Sequence, residues 1–295
     1  MVSPADRRRF VWAGQGDGDW TGLPAALARF HRETPVGAAV HCSVAADGYP
    51  AEAPDLPALL GGAGFVATGR PRRTPTGARV EVDAHRDRTL PDFVAGGLRM
   101  LVCGLNPSVV AADAGFGYAG ATNRFWAAVV AAGIVTRPRD PLAMLDVDRV
   151  GMTDLVKRAT PNADGLTPAE YAAGADRVGR LVAWLRPGVV LFVGLAGWRA
   201  AVDRRAVPGP QPGRFGGAPA YVMPSTSGRN ARTGPAELAD HLRGAMALAG
   251  EPGEPASGAG GVGGARTTAP PRRSTGAIAA GIIRLPPPAG GPAGR

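Results

Sequence analysis

Asn106 stands near the end of an apolar run, Leu98–Pro107, that reads LRMLVCGLNP. A buried strand that delivers one amide at its carboxyl end holds a neutral polar group, donor and acceptor at once, against a substrate. In open α/β sheets the carboxyl ends of strands are where ligands bind. The same Asn-Pro pair is also ordinary punctuation after a strand, where the Asn side chain closes a turn on its own backbone. Four further stretches follow in order: Gly115–Tyr118 (GFGY), Asn123–Trp126 (NRFW), Gly151–Val156 (GMTDLV) and Tyr221–Arg229 (YVMPSTSGR). They bring an aromatic ring, a second Asn, a Thr-Asp pair, and small hydroxyl side chains that end in Gly-Arg. The histidines, His31, His41, His85 and His241, all fall outside the set.

These residues need a scaffold, and 88–249 carries an α/β pattern. Arg99–Leu105, Val189–Gly194 and Ala220–Met223 are apolar runs of the kind found in a covered parallel sheet. Helices fall between them. Thr122 is placed to cap a helix that runs through Trp126 to Ala132 and ends at Gly133. Thr167–Glu170 (TPAE) reads as a capping box with Pro at the first helical position. The helix it starts turns Tyr171, Ala175, Val178, Leu181, Val182 and Leu185 inward and stops before Pro187. A last helix begins near Pro235 and carries Leu238, Leu242, Met246 and Leu248. Strands alternating with helices predict a three-layer α/β/α sandwich around a mainly parallel central sheet.

The flanks differ. Residues 250–295 are Gly, Pro, Ala, Ser and Arg with almost no aromatic residue, a composition that cannot bury enough apolar surface to offset its ordering entropy. A disordered tail is expected there. In 1–87, Leu23–His31 reads as a helix, Ala38–Val44 as a strand, and Asp55–Phe65 as a helix running into a Gly turn, with Pro71–Arg79 as a basic linker. This order resembles the last third of class I S-adenosylmethionine-dependent methyltransferases. Gly14–Gly18 (GQGDG) follows a short apolar run as a nucleotide-binding glycine loop would. Too few residues separate it from the following strand for the intervening βαβ units, so the segment reads as a truncated or degenerate module.

Bulk properties narrow the classes. The 295 residues carry a formal net charge of +9, nearly all of it from Arg, with Lys157 the single lysine. That balance fits a polyanion-binding protein and equally a GC-biased coding sequence. Two cysteines, Cys42 and Cys103, cannot supply a four-thiolate metal or cluster site. Cys103, inside an apolar strand, reads as a small buried hydrophobe rather than half of a disulfide. The amino terminus lacks the apolar core of a signal peptide and no stretch reaches the length of a membrane span, so a cytoplasmic protein is expected.

Taken together, GLNP, GFGY, NRFW, GMTDLV and MPSTSGR, in this order and spacing, resemble the mismatch-specific uracil/thymine-DNA glycosylases of the uracil-DNA glycosylase superfamily. The resemblance implies that Asn106 positions a water below a deoxyribose C1′, with backbone N–H groups near Leu105 and Asn106 stabilising the departing base. Breaking this bond passes through an oxocarbenium-like state, as other glycosyl transfers do. A neutral amide does not deprotonate the water, so a slow enzyme selective for activated pyrimidines is expected. Ser108 stands where the family usually carries Gly, adding a hydroxymethyl group at the pocket. Tyr118 would stack on the flipped base, a contact worth about 1–3 kcal/mol. Asn123 would either hydrogen-bond the pyrimidine edge or serve the helix entry. Thr153 and Asp154 are the polar members of a segment beside the pocket, and Lys157 and Arg158 are candidate phosphate contacts. Ser225, Thr226, Ser227 and Gly228 would pinch the DNA backbone, and Arg229 stands where thymine-acting members carry a wedge Arg. The Asp and His that other uracil-DNA glycosylases use on the uracil anion have no counterpart here.

The expected partner is double-stranded DNA with a mismatched or damaged pyrimidine, bound by a monomer. The expected chemistry is hydrolytic release of uracil or thymine from G-containing mismatches. No metal or cofactor is expected, and no covalent lysine intermediate. A second reading is a catalytically weak mismatch- or abasic-site-binding protein, which would share Tyr118 and Arg229 without depending on Asn106. A third is a methyltransferase that has lost most of its fold.

Overall fold

Two five-stranded sheets organise the residues described by this computed structural model, which are 7–14, 19–162 and 165–250. The expected tail lies outside them except for Gly250, and the glycine loop except for Gly14.

The first sheet is built from β1 (Arg8–Trp12), β2 (Ala39–Ala45), β3 (Phe65–Ala67), β4 (Arg72–Arg73) and β5 (Arg79–Arg86). Its order is β1-β2-β5-β3, with β4 paired to β5. β1 and β2 are parallel, and β5 inserts antiparallel between β2 and β3. Helices α1 (Leu23–Glu33) and α2 (Leu56–Gly62) supply its covering apolar residues, among them Leu23, Leu27 and Leu60. The α1, β2 and α2 elements match the helix–strand–helix expected at 23–65. The linker expected over Pro71–Arg79 is corrected: Arg72–Arg73 pairs with Glu81 and Val80, and Arg79 opens a strand. Arg79 also donates to Ser43 Oγ at 2.7 Å and to the carbonyl of Trp12. A scan for charge density sees arginines here. The two-residue alternation RVEVDAHR, with Val82 and Ala84 buried, marks the strand.

The second sheet holds β6 (Met100–Gly104), β7 (Val150–Asp154), β8 (Val190–Val193), β9 (Gly209–Phe215) and β10 (Ala218–Met223), in the order β7-β6-β8-β10-β9. All pairs are parallel except β10 with β9. Strand parity divides the core. Met100, Val102, Met152, Leu191, Val193, Tyr221 and Met223 pack with α4 (Phe125–Ala131) and α8 (Pro235–Ala247). Leu101, Cys103, Val190, Phe192 and Val222 pack with α6 (Pro168–Leu185) and α7 (Leu195–Ala201). The result is the expected sandwich, and the α6-side cluster continues into the core of the first sheet.

Helix α6 begins with the capping box read from the sequence: Thr167 accepts from the Glu170 N–H while Glu170 accepts from the Thr167 N–H. It ends at Arg186, held in the left-handed region, immediately before Pro187. Helix α4 starts differently from the expectation. Arg124 takes the N-cap position without a side-chain bond, and Asn123 Oδ1, not Thr122, accepts the Phe125 N–H at 3.0 Å. Short helices α3 (Val109–Ala114) and α5 (Pro141–Asp146) complete the crossover between β6 and β7.

Candidate functional site

Contacts near the carboxyl ends of β6, β7 and β10 link all five motifs. Asn106 follows β6 by two residues and is part-buried. Its Nδ2 donates to Thr160 Oγ1 at 2.7 Å, to the Arg158 carbonyl at 3.0 Å and to the Pro107 carbonyl at 3.1 Å. Two of these partners are acceptors only, which fixes which end of the amide faces them. The other end, Oδ1, takes no hydrogen bond among the described residues and is left to accept one from outside.

The segment that grips Asn106 is itself anchored. Leu155 and Val156 donate their N–H groups to the carbonyls of Gly104 and Leu105, continuing the β6–β7 ladder past the strand ends. Among the described residues no main-chain bond engages the N–H of Leu105 or Asn106. The Leu105 side chain instead turns toward α7, where a Cβ on Gly197 would come within 2.8 Å of it.

Below this loop lies an ionic cluster that sequence reading did not anticipate. Asp92, buried, pairs with Lys157 Nζ at 2.9 Å and Arg177 Nη1 at 2.6 Å, and accepts from Thr153 Oγ1 at 2.6 Å. Burial alone would push the Asp92 carboxyl up, but Arg177 and Lys157 together hold it below the usual carboxylate range. Thr153 therefore gives its hydroxyl to Asp92 rather than to the pocket. Lys157 is committed to the same carboxylate, and its carbonyl accepts from Thr89. Arg158 is bound to Glu170 at 2.6 Å and to the Gly165 carbonyl, so neither cation is placed as a free phosphate contact.

Ser108 is the N-cap of α3, its Oγ accepting from the Ala111 N–H at 3.1 Å. The hydroxymethyl group that departs from the family pattern thus has a local task, one a Gly would leave undone. Tyr118 adopts φ 59°, a left-handed conformation uncommon for a bulky residue. That turn sends the ring inward to stack on Phe125, with centroids 4.1 Å apart and planes 22° from parallel. Its hydroxyl is buried without a hydrogen-bond partner among the described residues. Asp154 lies alongside, since Met152 and Asp154 share the β7 face opposite Thr153. Cys103 faces the other side of the sheet, and burial pushes its thiol well above the usual range.

The last motif forms a self-bonded loop after β10. Ser225 Oγ accepts the Ser227 N–H and Ser227 Oγ accepts the Arg229 N–H, both at 3.3 Å. Neither hydroxyl donates a hydrogen bond among the described residues. Thr226 is buried. Gly228 sits against Thr122, where a Cβ would meet the Thr122 Oγ1 at 2.5 Å. Arg124, given no role by the sequence, pins the loop: it donates to the carbonyls of Ser227, Asn230 and Thr233, and its N–H to that of Thr226. Arg229 projects exposed, with no side-chain partner among the described residues. The signal for Arg124 was its place between the Asn123 turn and the buried Phe125, but only the fold brings the loop to it.

Among the described residues no group of His, Cys, Asp and Glu is arranged to hold a metal ion, and no helix is long and apolar enough to cross a membrane. The chain matches the family model of the Uracil DNA glycosylase superfamily over residues 91–245, more than half of its length and all of the motifs above.

Proposed function

Because this chain belongs to the uracil-DNA glycosylase superfamily, we propose that it is a monofunctional glycosylase that flips uracil, or thymine, out of a G-containing mismatch and hydrolyses its N-glycosidic bond. The anchored amide of Asn106 carries this reading. With its NH2 held by Thr160, Arg158 and Pro107, Oδ1 is fixed as an acceptor. A water donating one proton to Oδ1 turns a lone pair toward C1′. As the C1′–N1 bond breaks, its electron pair leaves with the base, the water oxygen bonds to C1′, and a water proton passes to solvent or to the base. The products are the free base and an abasic deoxyribose. The N–H groups of Leu105 and Asn106 are the donors for the charge that develops on the base, the kind of fixed dipole that acts strongly in a water-poor site.

Tyr118 is the stacking surface for the flipped base, backed by Phe125. Ser225 and Ser227 direct hydroxyl protons at a phosphate, and Arg229 fills the space the base leaves. Flipping costs a few kcal/mol, least at a mismatch, so a wedge both stabilises the open state and favours mispaired sites. The N-terminal segment, 1–87, is read as a degenerate methyltransferase-like module joined to a glycosylase domain over 88–249.

Single-turnover release from G·U, G·T and A·U duplexes, wild type beside Asn106→Ala, tests the proposal. Release from G·U that vanishes in Asn106→Ala while G·U binding persists is the expected result. Tight binding without release by either protein would move the assignment to a mismatch-binding module. Arg229→Ala is expected to weaken specific binding and relax the demand for a G mispair; equal loss on every duplex would make it a phosphate contact.

A further inference from the structure

The turn between α2 and β3 seats the segment 87–92, which leads from the first sheet into the second. Gly62, the buried last residue of α2, accepts the Asp92 N–H at 2.8 Å, and Gly64 accepts the Asp87 N–H at 2.9 Å. Neither glycine leaves room for a side chain. A Cβ on Gly62 would overlap Asp92 Oδ2 and lie 3.2 Å from Arg177 Nη1; one on Gly64, held at φ 79°, would lie 2.9 Å from Thr89 Cγ2. The cavity beside Leu59, Ala63, Asp92 and Arg177 is about 10 Å³, room for about one water. Asp92 and the buried Thr89 together hold Lys157: Asp92 pairs with its ammonium at 2.9 Å, and Thr89 Oγ1 donates to its carbonyl. Lys157 leads directly into Arg158 and Thr160, whose carbonyl and hydroxyl take the Asn106 amide. The backbone that fixes Asn106 is thus fastened by two residues seated on the α2–β3 turn. That turn precedes the stretch matched to the family, which begins at residue 91.

We propose that Gly62 and Thr89 are positioning residues for base excision: they seat Asp92 and Lys157 on the N-terminal sheet, and through Lys157 they fix the Asn106 amide. This rests on the glycosylase reading above. Residues 1–87 are then a working part of the site, supplying the surface on which its support is built.

The path of a disturbance follows from the contacts. A methyl group on Gly62 displaces the Asp92 carboxylate, which is tied to Arg177 at 2.6 Å and cannot swing aside without loosening that pair. Lys157 then loses its anchor, and the 157–160 backbone draws the Arg158 carbonyl and the Thr160 hydroxyl off the Asn106 amide. The chemistry needs Oδ1 aimed at a water below C1′. A misplacement of about 1 Å, caused far from the reacting atoms, slows a reaction by up to about 100-fold. The loop after β10 is held separately, by Arg124 on the carbonyls of Ser227, Asn230 and Thr233, so DNA affinity does not pass through this path. Rate should fall and affinity should hold.

Single-turnover release of uracil from a G·U duplex, followed over a range of enzyme concentrations, separates the maximal rate from the half-saturating concentration. Gly62→Ala should lower the maximal rate about tenfold and leave half-saturation within about twofold. Gly61→Ala, one position earlier in α2, where a Cβ meets nothing within 4 Å, should match wild type. Thr89→Val, which drops the bond to the Lys157 carbonyl at nearly constant shape, should show the same split as Gly62→Ala, and Thr89→Ser should restore the rate. A wild-type maximal rate in Gly62→Ala, a loss shared equally by Gly61→Ala, or rate and affinity falling together overturns the proposal. If Gly62→Ala does not fold, Thr89→Val decides, and a wild-type rate there overturns it. No release by the wild-type protein defeats the glycosylase reading along with this one; release that Gly62→Ala and Thr89→Val leave unchanged defeats only this one.

Discussion

Replacing Asp92 by Ala removes the one carboxylate that two nearly buried cations share. The side chains of Lys157 and Arg177 are 15% and 16% exposed, and that of Asp92 is 6% exposed. Removing one partner of a buried ion pair costs about 3–5 kcal/mol, because the charge left behind is uncompensated. Two stranded cations argue for the upper part of that range, and their residual exposure for the lower, so the middle is expected. For a protein of this size each kcal/mol lowers Tm by about 2–4 °C, so a cost of about 4 kcal/mol gives a fall of roughly 8–16 °C. The pH dependence follows from sign. Asp92 is held below its ordinary pKa in the folded state, so its contribution is complete above the unfolded value of about 4 and lost as pH falls below it. Urea unfolding at pH 7 should therefore show the full gap between wild type and Asp92→Ala, and unfolding in acid a shrinking one. A loss under about 1 kcal/mol at pH 7, or a gap that does not narrow in acid, would refute the claim that this network is a net anchor.

Two further outcomes concern the grip on the site. Thr160→Val removes the shortest of the three bonds that fix Asn106; one hydrogen bond is worth about 0.5–1.5 kcal/mol, so release from G·U should slow by about 2- to 10-fold. Affinity should hold and Thr160→Ser should restore the rate; an unchanged rate in Thr160→Val would show that the two carbonyls suffice. Arg124→Ala leaves the carbonyls of Ser227, Asn230 and Thr233 without their shared donor. Faster amide exchange confined to 225–233 and weaker DNA binding are expected, and exchange equal to wild type would deny Arg124 that role.

The elements most legible in the sequence were those with local signals. The TPAE box and the apolar spacing after it gave α6 almost to the residue, and continuous apolar runs gave β6, β8 and β10. Strand β7 was met only as a motif, because Gly151, Thr153 and Asp154 interrupt its apolar run. Strand β9 carries Pro210 and Pro212, tolerable only because it is an edge strand, a fact that no local window contains. In the first sheet, the charged face of β5 hid a strand behind a linker-like composition.

What the sequence by itself determined was the order of the motifs, the superfamily they point to, and the chemistry open to each side chain: a neutral amide, an aromatic ring, small hydroxyls and an Arg. Which of those groups are free was decided by the tertiary structure. Thr153, Lys157 and Arg158 read as site residues, yet they are spent on Asp92 and Glu170, the first two on a partner more than sixty positions away in the chain. Arg124 drew no role, yet it holds the loop after β10, while Asp154, read with Thr153 as a polar member of its segment, has a carboxylate without a hydrogen-bond or ion-pair partner among the described residues. The reason is physical. A side chain's local sequence fixes what it can donate or accept, but sheet order and burial fix which partners reach it first, and only the groups left over meet a substrate.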